Sequence, residues 1–145
     1  MSRRIDESDA VRFFEERDGF LIFTHNSPDA DTIGSALALV LALRFRGKRA
    51  VAFNREGIPA RLSFLRQEGF LIPFLPADLS GYTLVSVDVA SPKMLSGGDE
   101  NLTFALSVDH HEINTISCER LYLSQTRRSA RRSDAVRLRP SVCSA

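Results

Sequence analysis

The chain has 145 residues, enough for one domain with a real core or for part of a larger protein. Hydrophobic residues make up 43% and charged residues 26%, the balance of an ordinary soluble globular protein, and the net charge is +1. No apolar run reaches the ~18–20 residues that span a bilayer, which excludes an integral membrane protein of the helical type.

The N-terminal stretch "MSRRIDESDAVRFFEER" has two arginines and then turns acidic without an apolar core, so it does not read as a secretory leader. Cys118 and Cys143 form no CxxC pair and no disulfide framework, and the expected location is the cytoplasm. "DESDAVRFFEER" predicts a first helix, with Asp6 or Ser8 as N-cap and Val11 and Phe14 on one face. "GFLIFT" is a continuous apolar run, as in a strand buried on both faces of a parallel sheet. "DTIGSALALVLALRFRG" follows as an Ala- and Leu-rich helix closed by Gly47. "RAVAF" reads as a strand, "IPARLSFLRQ" as a short helix with Pro59 near its first turn, and "YTLVSVD" as another strand. "SPKMLSGGDEN" is a short helix or loop, and "LTFALSVDHH" is a further apolar strand ending in an acid. Strands alternating with helical segments give an α/β fold with a doubly wound, mainly parallel sheet.

Composition changes after "DHHEINT". Residues 1–115 carry 12 Lys and Arg against 16 acids, whereas residues 116–145 carry 7 Arg against 2 acids. All eight glycines and all ten phenylalanines precede residue 105. The expected division is therefore an incomplete α/β domain over 1–115 and an Arg-rich tail over 116–145.

Three apolar runs end in side chains suited to metal ions: "FLIFTHNSPDAD", "TLVSVD" and "ALSVDHH". Ligands of open α/β sheets bind beyond the carboxyl ends of the strands. If the strands are parallel, His25, Asp29, Asp31, Asp88, Asp109, His110 and His111 converge on one edge. So many carboxylates in one place call for a cation. Each cluster alone has a plain explanation. "HNSPDAD" is turn chemistry with Asp31-Thr32 as a helix cap, and Asp88 is an acid after a strand. An EF-hand fails, because Val40 stands where the bidentate Glu is needed. An HExxH zinc motif fails at Thr115, and no G-x-S-x-G or Cys–His arrangement offers a nucleophile. Taken together, the clusters favour a metal centre. Mixed His and Asp ligands without Cys suit Mn²⁺ or Mg²⁺ better than structural zinc. Two such ions sharing a carboxylate suit phosphoester hydrolysis by an activated water.

The same residues carry a resemblance. "HNSPDADTIGSALAL", "SVDVA" and "VDHHEINT" resemble, in the right order, the first three motifs of the DHH phosphoesterase superfamily. Within it the chain is most similar to the branch of bacterial oligoribonucleases (nanoRNases) that also dephosphorylate 3′-phosphoadenosine 5′-phosphate (pAp). The resemblance implies that His25 and Asp29 hold one Mn²⁺, that Asp31 and His110 hold the other, and that Asp88 bridges them. It implies that Asp109 orients the site and that His111 lies near the scissile phosphate. The substrates implied are short RNA or DNA oligonucleotides or nucleotide phosphates, without a membrane partner.

That family carries a fourth metal-binding aspartate and a C-terminal substrate domain after the DHH motif. The last 30 residues here contain no glycine and one aspartate, Asp134, which no strand precedes. A frameshift or truncation is favoured for this tail, since Arg, Ser, Ala and Pro dominate GC-rich sequence read out of frame. A disordered terminus and a basic nucleic-acid-binding arm are the alternatives. Translating the genomic DNA in all frames past codon 115 decides among them. The expected function is a two-metal phosphoesterase with impaired activity. The competing expectation is a non-catalytic pseudo-phosphoesterase that binds nucleotides or a protein partner. An incomplete sheet can also expose an edge for homodimerisation.

Overall fold

The computed structural model describes residues 2–97 and 101–124. In chain order it has β1 (Arg3–Arg4), α1 (Glu7–Glu16), β2 (Phe20–Phe23), α2 (Ala30–Phe45), β3 (Ala50–Phe53), β4 (Leu71–Ile72), β5 (Thr83–Val87), β6 (Phe104–Asp109) and β7 (Cys118–Leu123). Short 3₁₀ turns occupy Ala60–Leu65 and Pro92–Met94. The strands form a single sheet in the order β1-β7-β6-β5-β2-β3-β4, and every neighbouring pair is parallel. No helix among the described residues is long and apolar enough to cross a membrane.

Local chemistry sets the elements. Asp6 caps α1 by accepting the Asp9 amide at 2.8 Å, and Ala10, Phe13 and Phe14 form its buried face. All four residues of β2 are buried, and they alternate: Phe20 and Ile22 face the helices while Leu21 and Phe23 face the other side. α2 is capped by Asp29, whose Oδ1 accepts the Thr32 amide at 2.9 Å. It ends at Gly47, whose φ of +76° is the left-handed geometry of a helix terminus.

The winding explains the layers. From β2 the chain steps outward to β3 and β4, then returns across to β5 and continues through β6 to β7. Parallel crossovers keep one hand, so reversing direction moves the connections to the opposite face. α1 and α2 therefore share one face, over Ile22, Ala52, Val85 and Leu106. On the other face, Leu75, Leu79, Met94, Leu95 and Ile116 close over Phe23, Phe53 and Phe104. The sheet is doubly wound as expected, but the described residues put no α-helix on this second face.

Three departures from the sequence reading have physical causes. The expected helix at "IPARLSFLRQ" is a kinked 3₁₀ segment, because only Leu62 is buried and no continuous apolar stripe supports α-geometry. The two-residue strands β1 and β4 were not anticipated, since such short edge strands leave no periodic pattern. The third concerns the chain beyond residue 115. Cys118–Leu123 joins the sheet as β7, parallel to β6, and both Ile116 and Cys118 are buried. The rest of the expected tail, including Asp134 and Cys143, lies outside the described residues.

Candidate metal centre

The direction of winding reverses between β2 and β5, so a crevice opens at their carboxyl ends, the place where open α/β sheets bind ligands. His25 follows β2 and Asp88 follows β5. Asp109 ends β6, with His110 and His111 just beyond it. The predicted convergence is thus a consequence of parallel pairing.

Each ligand is held from behind. His25 Nδ1 lies 2.6 Å from the Asn26 carbonyl and serves as its donor, which turns Nε2 toward the crevice. The backbone behind it is fixed by a buried network. Asn54 Nδ2 donates to the His25 carbonyl and to Thr24 Oγ1, Thr24 Oγ1 donates to the Phe53 carbonyl, and Ser96 Oγ donates to Asn54 Oδ1. On the loop to α2, the Ser27 amide donates to Glu56 and the Arg61 guanidinium donates to the Pro28 carbonyl. Ser27 and Asp88 are the only non-glycine residues with positive φ among those described, at +46° and +61°. That strain is confined to the two loops flanking the crevice.

Two groups of potential ligand atoms result: His25, Asp29 and Asp88, and Asp88, Asp109, His110 and His111. Asp88 belongs to both. His25 Nε2 lies 3.6 Å from Asp29 Oδ1 and 3.5 Å from Asp88 Oδ2, and His110 Nδ1 lies 3.2 Å from Asp88 Oδ1. Among the described residues, the ion-pair partners of Asp29, Asp88 and Asp109 are all histidines. Asp88 is 8% exposed and Asp109 3%, so neither carboxylate is solvated by bulk water. Asp88 Oδ1 is buried without a well-aligned hydrogen bond. A buried carboxylate oxygen without a donor, in a cluster without lysine or arginine, is what a divalent cation would satisfy. Asp31 joins neither group; it is exposed on the first turn of α2.

In the metal-free state a proton on His25 faces the other oxygen, Asp88 Oδ2, at 3.5 Å. The hydrogen bond to Asp88 raises the His25 imidazole from its usual 6.5 to about 9, against the opposing effect of burial. The folded chain therefore holds this proton more tightly than the unfolded one. Its stabilising contribution is complete below pH 6.5 and lost as the pH rises through about 9. The thermal midpoint of the metal-stripped chain is expected to fall across that window, and His25→Gln to flatten the fall. A wild-type midpoint that holds level there contradicts the assignment.

Asn114, the sixth residue of "DHHEINT", is bonded to this cluster. Its Nδ2 donates to Asp109 Oδ2 at 2.8 Å and to the Val89 carbonyl at 3.2 Å, and its Oδ1 accepts the Ile116 amide at 2.9 Å. The supporting residues Thr24, Asn54 and Ser96 were also missed. Asn54 directly after "AVAF" was the available signal, a polar residue at a strand end.

A family model described as the N-terminal domain of the DHH family matches residues 19–138. The chain belongs to the DHH family. The match covers all three DHH motifs and extends past the described residues. The bifunctional oligoribonuclease and PAP phosphatase NrnA of Thermus thermophilus is 38% identical over 96 residues, 64% of this chain. The DHH chain spans 28% of that relative's length.

Proposed function

We propose that this DHH chain is a metal-dependent phosphoesterase acting on short oligonucleotides or on pAp. The observation that supports this best is the sharing of Asp88 by two ligand groups at the switch point of a parallel sheet. His25, Asp29 and Asp88 would hold one ion, and Asp88 with His110 the other; Mn²⁺ suits the donors, and Mg²⁺ is the alternative. Ions held there would supply activation of water and countercharge for a phosphoryl group.

The chain's own residues orient this chemistry. Asp88, strained and buried, fixes the spacing of the two groups. Asp109 Oδ1 lies 2.6 Å from His111 Nδ1, and since a carboxylate only accepts, the imidazole nitrogen donates. His111 Nε2 is then left to face a phosphate or its leaving group. His110 and His111 stack at 4.5 Å between ring centroids, which limits their rotation. The relative's two named activities, oligoribonuclease and PAP phosphatase, suggest the substrate classes. We further propose that turnover is impaired, because Asp31 stands apart from both ligand groups.

Incubating the purified chain with Mn²⁺ and either a short RNA or pAp tests the reading. Slow release of mononucleotide or phosphate, lost with chelator, is the expected result. Failure to bind Mn²⁺ overturns it. Nucleotide binding without metal or hydrolysis would instead identify the non-catalytic module.

A further inference from the structure

The Asn114 side chain is bonded near all three C-terminal strands: to Asp109 at the end of β6, to Val89 just past β5, and to Ile116 leading into β7. Both amide hydrogens of Nδ2 are used, one on a carboxylate and one on a carbonyl. Oδ1 must face the Ile116 N–H, so the amide can adopt one orientation only. We infer that Asn114 is a positioning residue that fixes the Asp109 carboxylate and, through it, the tautomer of His111.

The two oxygens of Asp109 have separate duties. Oδ2 receives Asn114, while Oδ1 accepts the His110 amide at 2.8 Å and lies against His111 Nδ1 at 2.6 Å. With Oδ2 anchored, the carboxylate plane cannot turn, and Oδ1 stays directed at His111. The hydrogen then stays on Nδ1 and Nε2 keeps its lone pair. A rotated carboxylate would free the ring to carry its hydrogen on Nε2, where it could no longer accept a proton or approach a cation. The Val89 bond adds a second constraint: it ties the residue after Asp88 to the same amide, so the ends of β5 and β6 are kept in register across the crevice. A change in this one amide thus reaches both ligand groups, directly at Asp109 and through Val89 beside Asp88. This role deepens the proposed phosphoesterase function and rests on it for its consequence, but the tautomer itself is a property of the metal-free chain.

Long-range ¹H–¹⁵N spectra of the histidine rings, taken on the metal-free full chain at about pH 8 where an ordinary imidazole is neutral, test the inference. The chain has three histidines, and His111→Gln assigns the His111 signals by their loss. Wild type is expected to show His111 as the Nδ1–H tautomer with unprotonated Nε2. Asn114→Asp keeps the acceptor for Ile116 and removes both donors; it is expected to lose that pattern in favour of an Nε2–H or mixed population. An Nε2–H wild type, or an unchanged Nδ1–H signal in a folded Asn114→Asp, overturns the inference. If Asn114→Asp does not fold, Asn114→Ser replaces it, with the same two outcomes. Absence of Mn²⁺ binding or of hydrolysis would defeat the phosphoesterase reading while leaving this result intact.

Discussion

Asp88→Asn is expected to abolish Mn²⁺ binding at both ligand groups together. The variant keeps the shape of the side chain, and asparagine tolerates the φ of +61° at this position, so the loop is preserved. What it removes is the negative charge common to both groups. Weakening even an indirect metal partner costs about 10–100-fold in affinity, and a shared ligand should cost at least the upper end of that range at each ion. Calorimetry with Mn²⁺ is the measurement: wild type should take up two ions, and Asp88→Asn none at concentrations that saturate wild type. Uptake of one ion by the variant would show that one group does not depend on Asp88. Asp31→Ala is the informative companion. The family resemblance makes Asp31 a ligand, whereas the geometry leaves it on the exposed first turn of α2, so an affinity close to wild type is expected.

The largest effect on stability is expected from Phe23→Ala. Phe23 is fully buried, with ring centroids 5.4 Å from Phe53 and 5.1 Å from Phe104 in edge-on contacts. Truncation removes the central ring of the face on which the described residues place no α-helix. A loss of about 3–5 kcal/mol is expected, a large part of the ~5–15 kcal/mol that stabilises a typical domain. Urea unfolding should show a much lower midpoint or no folded baseline. Leu41→Ser, on the exposed side of α2, should stay within about 0.5 kcal/mol. Equal losses at the two positions would mean that the Phe23 cluster is not the core of that face.

The parts of this molecule legible in the sequence are those with a repeating or locally complete signal. Phe20–Phe23 is apolar throughout because both faces are covered, and α2 carries its own cap and stop. The acids at strand ends could be placed on one edge because parallel pairing allows no other arrangement. β7 was hidden: "CERLYL" has two charges in six residues, and the arginines after it dominate the composition. Its pairing is decided by β6 rather than by its own pattern. Asn114 illustrates the same limit at the site. An amide five residues after Asp109 reads as loop polarity until the fold turns it back onto the carboxylate. The exposure of Asp31 is likewise a matter of helix phase. Asp29 became the cap, and its Oδ1 accepts the Thr32 amide and lies 3.6 Å from His25 Nε2, while Asp31 fell on the solvent side of the first turn.

The edge of the sheet has a consequence for the order in which the molecule can be assembled. β1, at residues 3 and 4, has no partner until Arg120 and Leu121 have been made, because its register is with β7 alone. Close to the whole described chain must therefore leave the ribosome before the first strand can dock. At roughly 5–20 residues per second, that delay lasts several seconds. Contacts so distant in sequence are also the slow ones in folding. Until then Asp109 stands on a strand lacking its outer neighbour, so that side of the candidate site gains its last support only as synthesis passes β7.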